Sequence, residues 1–331
     1  MELHSQRFVA EILDPRKGFE PARKEVELRR DPLTGQSCRI LPRGSLPRPE
    51  RQDLEEMARS SRESCPFCGE RVEEVTPRLP AEVWPDGRIR VGEAVLFPNL
   101  VPYAKWSSVS IYSPGRHLLP IGQITPGLME DNLAAQAVFI RAVRAHDPDS
   151  VWASINANFL PPSGSSILHP HLQGAVNPTP TTVQRLLAEQ PEGLLEAYLE
   201  AELAGGRGLG STGPIAWVAA FAPVGPAEIR ALVPGVASPE EMDDHLLGEL
   251  ARGLCLALGL YDELGFQSFN LACYGGPAGG GGPPLFVRLV ARACFGPLLR
   301  SDVMWSERLH WEAATDVRPE EVARIGRRRF A

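Results

Sequence analysis

The two halves of this sequence repeat one order of predicted elements, and this repetition constrains the fold more than any other feature. In each half, strands precede a long helix, and a strand, a loop and a last strand follow it. The helix openers Thr125 and Ser238 lie 113 positions apart, and Asn158 and Asn270, each in the strand after the helix, lie 112 apart. A near-constant offset of this kind indicates an internal duplication.

The predicted strands are rich in β-branched and aromatic residues, and the stretch ILHPHLQGAV is one of them. Strands and helices of this kind predict an α+β fold. The N-terminal part differs, because it is rich in Arg, Pro and Glu and has little apolar periodicity. Its segment RRDPLTGQSCRILPRGSLPRP predicts an extended arm with turns, and ERQDLEEMARSSRES a short helix or a disordered stretch. We divide the chain into an arm with a cysteine knuckle at 1–85, a first half at 86–205 and a second half at 206–331.

Composition argues against several classes of function. The 331 residues carry a net charge of -7, which argues against nonspecific nucleic-acid binding because that needs a basic surface. Hydrophobic residues make up 43% of the chain, enough for a sizeable core, yet no apolar run approaches the roughly 20 residues of a membrane helix. The first residues lack the apolar core of a secretory signal. We therefore expect a cytoplasmic protein that does not associate with a membrane.

The stretch CPFCGE places Cys65 and Cys68 at the spacing that lets two thiolates reach one tetrahedral ion. A redox pair is the alternative, but redox motifs usually open a helix, and these flanks are polar and turn-like. Because no second CxxC occurs, histidines would have to complete the site. His117 and His169 flank predicted strands and are the most economical partners. We therefore expect one zinc ion per chain, with a structural role.

The stretch SSILHPHLQG places two imidazoles two residues apart. On a strand, His169, His171 and Gln173 would share one face, because side chains alternate between faces. A neutral imidazole can attack phosphorus through one nitrogen if an acceptor holds the hydrogen of the other. Gln173, Ser165 and Ser166 could then donate to phosphoryl oxygens. The alternative is that both histidines belong to the core or both bind the metal.

These motifs together resemble the galactose-1-phosphate uridylyltransferase branch of the histidine-triad superfamily, which includes sugar-nucleotide phosphorylases. CPFCGE resembles its zinc knuckle, LFPN its strand near the nucleoside, and NANFLPPSGSSILHPHLQ its active-site block. SIYSPGRHLLP is similar to the segment with the third metal ligand, where Arg116 competes with His117 for the alignment. The resemblance implies two histidine-triad-like half-barrels in one chain, with mostly antiparallel sheet and packed helices.

The resemblance also implies a role for each matching residue. His171 would be the nucleophile that takes a nucleoside monophosphate as a covalent phosphoramidate, with Gln173 and Ser166 holding phosphoryl oxygens. The resemblance implies that zinc is bound by Cys65, Cys68, His117 and His169. The residues implied to bind the substrate are Asn158, Gly164, Ser165, Asn99, Phe67, Arg43 and Arg48.

Two departures from the family pattern stand out. Leu172 occupies a position where family members often have glycine. The later strand LFVRLVARACF has no histidine, so we expect the second metal site of some uridylyltransferases to be absent.

The expected function is a nucleotidyltransferase of nucleotide-sugar or galactose metabolism. Its substrates would be nucleoside-diphosphate sugars and phosphorylated small molecules, and a homodimer is possible. The alternatives are a phosphorylase or hydrolase of nucleoside-diphosphate sugars or dinucleotides, and a non-catalytic, zinc-stabilised nucleotide-binding protein.

Overall fold

Antiparallel pairs make up nearly all of the sheet structure of this molecule. The computed structural model describes residues 1–279, 282–294, 296, 303, 307 and 311–331. The strands are β1 (Ser5–Asp14), β2 (Glu20–Arg30), β3 (Ser37–Ile40), β4 (Ile89–Val91), β5 (Ala94–Pro98), β6 (Trp106–Ile111), β7 (Trp152–Phe159), β8 (His171–Asn177), β9 (Gly208–Thr212), β10 (Ile215–Ala219), β11 (Ile229–Val233), β12 (Ser268–Gly275), β13 (Leu285–Arg292) and β14 (Glu312–Thr315). The helices are α1 (Leu54–Ser61), α2 (Arg71–Val75), α3 (Pro126–His146), α4 (Thr182–Ala188), α5 (Leu194–Ala204), α6 (Asp244–Glu263) and α7 (Pro319–Phe330).

One ten-stranded sheet contains both halves of the chain. Its strand order is β4-β5-β6-β8-β7-β12-β13-β11-β10-β9. Counted outward from the central β7–β12 pair, the strands of the two halves follow the same order. Across that central pair, Asn158 lies directly opposite Asn270. The predicted α+β class, the antiparallel sheet and the repeated order of elements are therefore confirmed. The domain boundaries at residues 85 and 205 stay a prediction.

The long helices α3 and α6 pack against each other and contribute side chains to the main apolar core. Thr125 caps α3 as predicted, because its hydroxyl accepts from the backbone N–H of Leu128 at 3.4 Å. The predicted start of α6 at Ser238 is wrong. Ser238 precedes only a short 3-10 turn, and α6 begins at Asp244 behind its cap Asp243. The extended backbone of Met242 separates the two elements.

Three strands of the arm and β14 of the second half form a second sheet, in the order β1-β2-β3-β14. Buried ion pairs tie this arm to the second half. Arg230, which is 1% exposed, donates to both carboxylate oxygens of Asp31 at 3.1 and 2.9 Å and to Glu228 at 2.8 Å. No helix within the described ranges is both long and apolar enough to cross a membrane.

Replacing Arg230 with methionine is expected to lower the free energy of unfolding by about 3–5 kcal/mol, because two buried carboxylates lose a counter-ion. Arg252→Met is the matched control, since Arg252 is half exposed and pairs with Glu249 on the surface of α6. That change is expected to cost less than about 1 kcal/mol. Urea denaturation of both variants measures the difference, and equal losses would contradict a stabilising role for the buried pairs.

Candidate functional site

A cavity of about 330 Å³ opens between the cysteine knuckle, strands β5 to β8 and the turn that follows β7. Eight of the residues that the sequence analysis selected line it: Phe67, Asn99, Asn158, Gly164, Ser165, Ser166, His171 and Gln173. A volume of this size falls within the range of small-molecule sites. The structure therefore brings these eight residues, which are spread between positions 67 and 173 of the sequence, into one cavity.

Alternation along β8 decides which of its side chains face this cavity. His171 and Gln173 line the cavity, whereas Leu172 is 0% exposed and belongs to the main core. Leu172 therefore lies on the opposite face of the strand, so its departure from the family glycine does not alter the cavity. Gly174 faces the same side as Leu172, and a Cβ there would clash with the side chain of Gln136 on α3.

A hydrogen bond and burial define the state of the His171 imidazole. Its Nδ1 lies 2.8 Å from the backbone oxygen of His169, and a carbonyl can only accept, so Nδ1 carries the hydrogen. Nε2 therefore has the lone pair. Burial lowers the pKa of His171 below its usual value, and the hydrogen bond to His169 opposes that shift only in part. The ring of Phe67 packs edge-on against this imidazole, with centroids 5.7 Å apart.

The turn between β7 and β8 presents two serines with different hydrogen bonding. Gly164 has a φ of 97°, a left-handed conformation that favours glycine. The hydroxyl of Ser165 donates to the backbone oxygen of Ile167 at 2.7 Å. Ser166 is exposed, and its hydroxyl has no hydrogen bond to the part of the chain that the structure describes. Ser166 therefore has the hydroxyl that can donate to a ligand.

Beside the cavity, Cys65, Cys68, His117 and His169 bring two sulfur and two nitrogen atoms within 4.8 Å of one another. Nδ1 of His169 lies 3.6 and 3.4 Å from the two sulfurs, and Nδ1 of His117 lies 3.2 Å from that of Cys68. Ligands of one tetrahedral ion, with bonds of about 2.0–2.3 Å, lie about 3.5 Å apart. The geometry of these four side chains therefore fits a metal ion.

The hydrogen bonds behind these ligands also suit a metal. Nε2 of His169 donates to the backbone oxygen of Ser113 at 2.9 Å, so its Nδ1 is free of hydrogen and faces the sulfurs. Nε2 of His117 contacts the Ser61 hydroxyl at 3.0 Å. Burial lowers the pKa of His169 to about 4, and burial together with Cys65 raises the pKa of Cys68 to about 11. A cation that binds here has to displace the proton of that thiol.

The sequence predicted that His169 and His171 share one face of a strand, but in the structure they do not. Strand β8 begins only at His171, because Pro170 has no N–H for the ladder and its oxygen accepts from Tyr112 outside the strand. The break turns His169 toward the cysteines while His171 lines the cavity. Arg116, the rival of His117, is exposed and pairs with Glu93.

The two arginines expected from the arm do not line the cavity. Arg43 is exposed and pairs with Glu321 at 2.9 Å, and Arg48 is also exposed. Sequence reasoning also missed part of the cavity wall. Leu100, Val101 and Tyr103 line it although each is at least 66% exposed. The sequence did contain a signal for this part of the wall, because three large apolar side chains follow LFPN directly in a loop.

A protein of Archaeoglobus fulgidus described only as uncharacterized is 31% identical to this chain over 336 aligned positions, which cover 98% of this chain and 97% of that protein. The chain belongs to one family with this archaeal protein. No family model matches the chain.

Solved structures show which known proteins share the fold of this chain. An ADP-glucose phosphorylase from Arabidopsis thaliana with bound ADP-glucose matches with a TM-score of 0.70 and 21% identity, covering 91% of this chain and 98% of its own. A GalT-like protein of the same plant matches with a TM-score of 0.67, 20% identity and the same coverage. A uridylyltransferase matches with a TM-score of 0.60 and 16% identity, covering 92% and 98%. The chain therefore has the fold of these solved structures, which is the fold that the resemblance in the sequence predicted.

Proposed function

We propose that this chain is a nucleotidyltransferase that moves a nucleoside monophosphate from a nucleoside-diphosphate sugar, through His171, to a phosphorylated acceptor. The observation that carries the proposal is the state of His171. Its Nδ1–H is held by the backbone oxygen of His169, burial lowers its pKa and so favours the neutral imidazole, and it lines the cavity beside Gln173. A histidine with a fixed tautomer and a nitrogen lone pair has the requirements of a nucleophile toward phosphorus.

In the first step, Nε2 of His171 attacks the α-phosphorus of the donor, and the bond from that phosphorus to the bridging oxygen breaks. The sugar phosphate leaves with the bond electrons, and the nucleotide stays on Nε2 as a phosphoramidate. Nδ1–H remains bonded to the backbone oxygen of His169, which stabilises the positive charge that develops on the ring. The amide of Gln173 and the hydroxyl of Ser166 donate to the nonbridging oxygens, where negative charge increases.

In the second step, a phosphate oxygen of the acceptor attacks the same phosphorus and the bond to Nε2 breaks, which returns His171 to its neutral form. A double displacement suits one cavity that receives the donor and then the acceptor. Because the solved structures include an ADP-glucose phosphorylase and a uridylyltransferase, adenosine and uridine donors are both candidates, and inorganic phosphate and hexose 1-phosphates are the acceptors to compare.

The metal that we propose for the cluster of Cys65, Cys68, His117 and His169 is zinc, because two thiolates and two imidazoles in tetrahedral geometry are typical zinc ligands. Bound zinc would crosslink the knuckle to the segment before β8. That crosslink would hold Phe67 against His171 and hold the backbone oxygen of His169 in place for Nδ1.

Mass spectrometry of the intact protein tests the proposed function. The protein is mixed with ADP-glucose, UDP-glucose and other nucleoside-diphosphate sugars, and we expect a mass increase equal to one nucleoside monophosphate with at least one donor. Adding a hexose 1-phosphate or inorganic phosphate to the labelled protein should remove the label, and the product names the acceptor. An unmodified protein across the whole donor panel would refute the covalent mechanism.

A further inference from the structure

Asn158 and Asn270 meet at the centre of the large sheet, where the two halves of the chain join. Asn158 on β7 lines the cavity, and Asn270 on β12 lies directly opposite it. The Nδ2 of Asn270 donates to Oδ1 of Asn158 at 2.7 Å and to the backbone oxygen of Ser163 at 3.0 Å. Nη1 of Arg292 donates to Oδ1 of Asn270 at 2.7 Å. A chain of hydrogen bonds therefore runs from the second half into the cavity.

This chain of bonds determines which way each amide points. A guanidinium has only donors, so the Asn270 atom that faces Arg292 has to be the oxygen. The nitrogen of Asn270 then faces Asn158, and the Asn158 atom that receives it has to be its oxygen. The nitrogen of Asn158 points elsewhere, and it has no hydrogen bond to any residue in the described ranges. The second half therefore sets the orientation of an amide in the first half.

The oriented amide lines the same cavity as His171. The pairing of β7 with β8 ends with Asn156 opposite Gln173. Asn158 and His171 lie two residues beyond that pair on their strands and share its strand faces, because side chains alternate along a strand. The free N–H donors of Asn158 therefore face the cavity in which a phosphoryl group on the imidazole would lie.

We infer that Asn270, held by Arg292, is a positioning residue that turns the N–H donors of Asn158 toward the phosphoryl oxygens of the nucleotide at His171. The inference rests on the proposed function and deepens it. It gives the second half of the chain, whose strand β13 has no histidine, a role in the site of the first half. Asn270 does not touch the nucleotide itself, and its effect passes through Asn158.

Asn270→Asp tests the inference because the shape of the side chain hardly changes. A carboxylate can still accept from Arg292, but it cannot donate to Oδ1 of Asn158. The Asn158 amide then turns its nitrogen toward the new carboxylate and its oxygen toward the nucleotide. We expect the single-turnover rate of nucleotidyl-protein formation to fall about 10- to 100-fold, the range for losing a hydrogen bond to a charged group. Ala272→Ser, two residues further along the same face of β12, is the matched control and should stay within about twofold of the wild type.

A double-mutant cycle separates positioning from a general structural effect. Asn158→Ala alone should slow the reaction to a similar extent, and adding Asn270→Asp to it should slow it less than about threefold further. Independent, multiplicative losses would overturn the inference. Asn270→Ala serves the same purpose if the aspartate variant does not fold, with an expected loss of about 3- to 10-fold because no repelling oxygen is introduced. A wild-type protein that forms no adduct would refute the proposed function, whereas an Asn270→Asp variant labelled at the wild-type rate would overturn only this inference.

Discussion

Replacing His171 with glutamine is expected to abolish the nucleotidyl adduct and to reduce turnover by about a thousandfold or more, as the loss of a nucleophile does in enzymes with covalent intermediates. Glutamine is similar in size and polar, yet its amide nitrogen has no basic lone pair to attack phosphorus. Intact-protein mass spectrometry after mixing with the active donor measures the adduct, and a coupled assay measures turnover.

The control for this change is His245→Gln, because His245 is an exposed histidine at the start of α6. That variant should form the adduct at the wild-type rate. The thermal unfolding midpoint of both variants should stay close to that of the wild type, since Nδ1 makes the one hydrogen bond of the His171 side chain within the part of the chain that the structure describes. An adduct that persists in His171→Gln would place the nucleophile on another residue and contradict the proposed mechanism.

Replacing Cys65 with serine is expected to remove the zinc that we propose for the cluster and to lower the free energy of unfolding by several kcal/mol, because structural zinc contributes on the order of 10 kcal/mol to folding in small zinc domains. Serine is a poor zinc ligand, and the cluster would lose one of its four donor atoms. Activity should also fall, because Phe67 lies between the two cysteines in sequence and packs against His171. Elemental analysis measures the metal, and thermal unfolding measures the stability.

Cys294→Ser makes the same chemical change outside the cluster and is the matched control. Cys294 is half-buried, and its thiol lies 3.6 Å from the backbone oxygen of Gly296. This variant should keep about one zinc per chain, with only a small change in stability. A variant that lacks both Cys65 and Cys68 and still holds a full equivalent of zinc would refute the assignment of the site.

Most of the candidate site was predictable because its residues stand in short, local patterns. The two cysteines of CPFCGE lie in one turn, and the alternation of His171, Leu172 and Gln173 follows from strand geometry alone. The repeated order of elements likewise predicted the two similar halves of the sheet. In each case the constraint acts over a few residues or over one repeated pattern, which a single sequence displays directly.

Other features depended on contacts between distant parts of the chain. Arg43 pairs with Glu321 instead of lining the cavity, and nothing near Arg43 in the sequence indicates that partner. The exposed loop with Tyr103 became part of the cavity wall only because β5 and β6 bring it beside the knuckle. The predicted start of α6 was wrong because the pattern Ser238-Pro239 can open either a long helix or a single 3-10 turn, and here it opens the turn.

The sequence alone determined which chemical groups this protein has for the reaction that we propose: a histidine beside amide and hydroxyl donors, and four side chains suited to one metal ion. Only the tertiary structure decided which surroundings each histidine has. Pro170 ends the strand ladder, so His169 turns to the cysteines while its backbone oxygen holds Nδ1 of His171. The structure also decided that Asn270 orients Asn158, because that hydrogen bond joins residues 112 positions apart. Local spacing encodes which side chains share a face, but the direction of a hydrogen bond between distant residues is set only when the chain has folded.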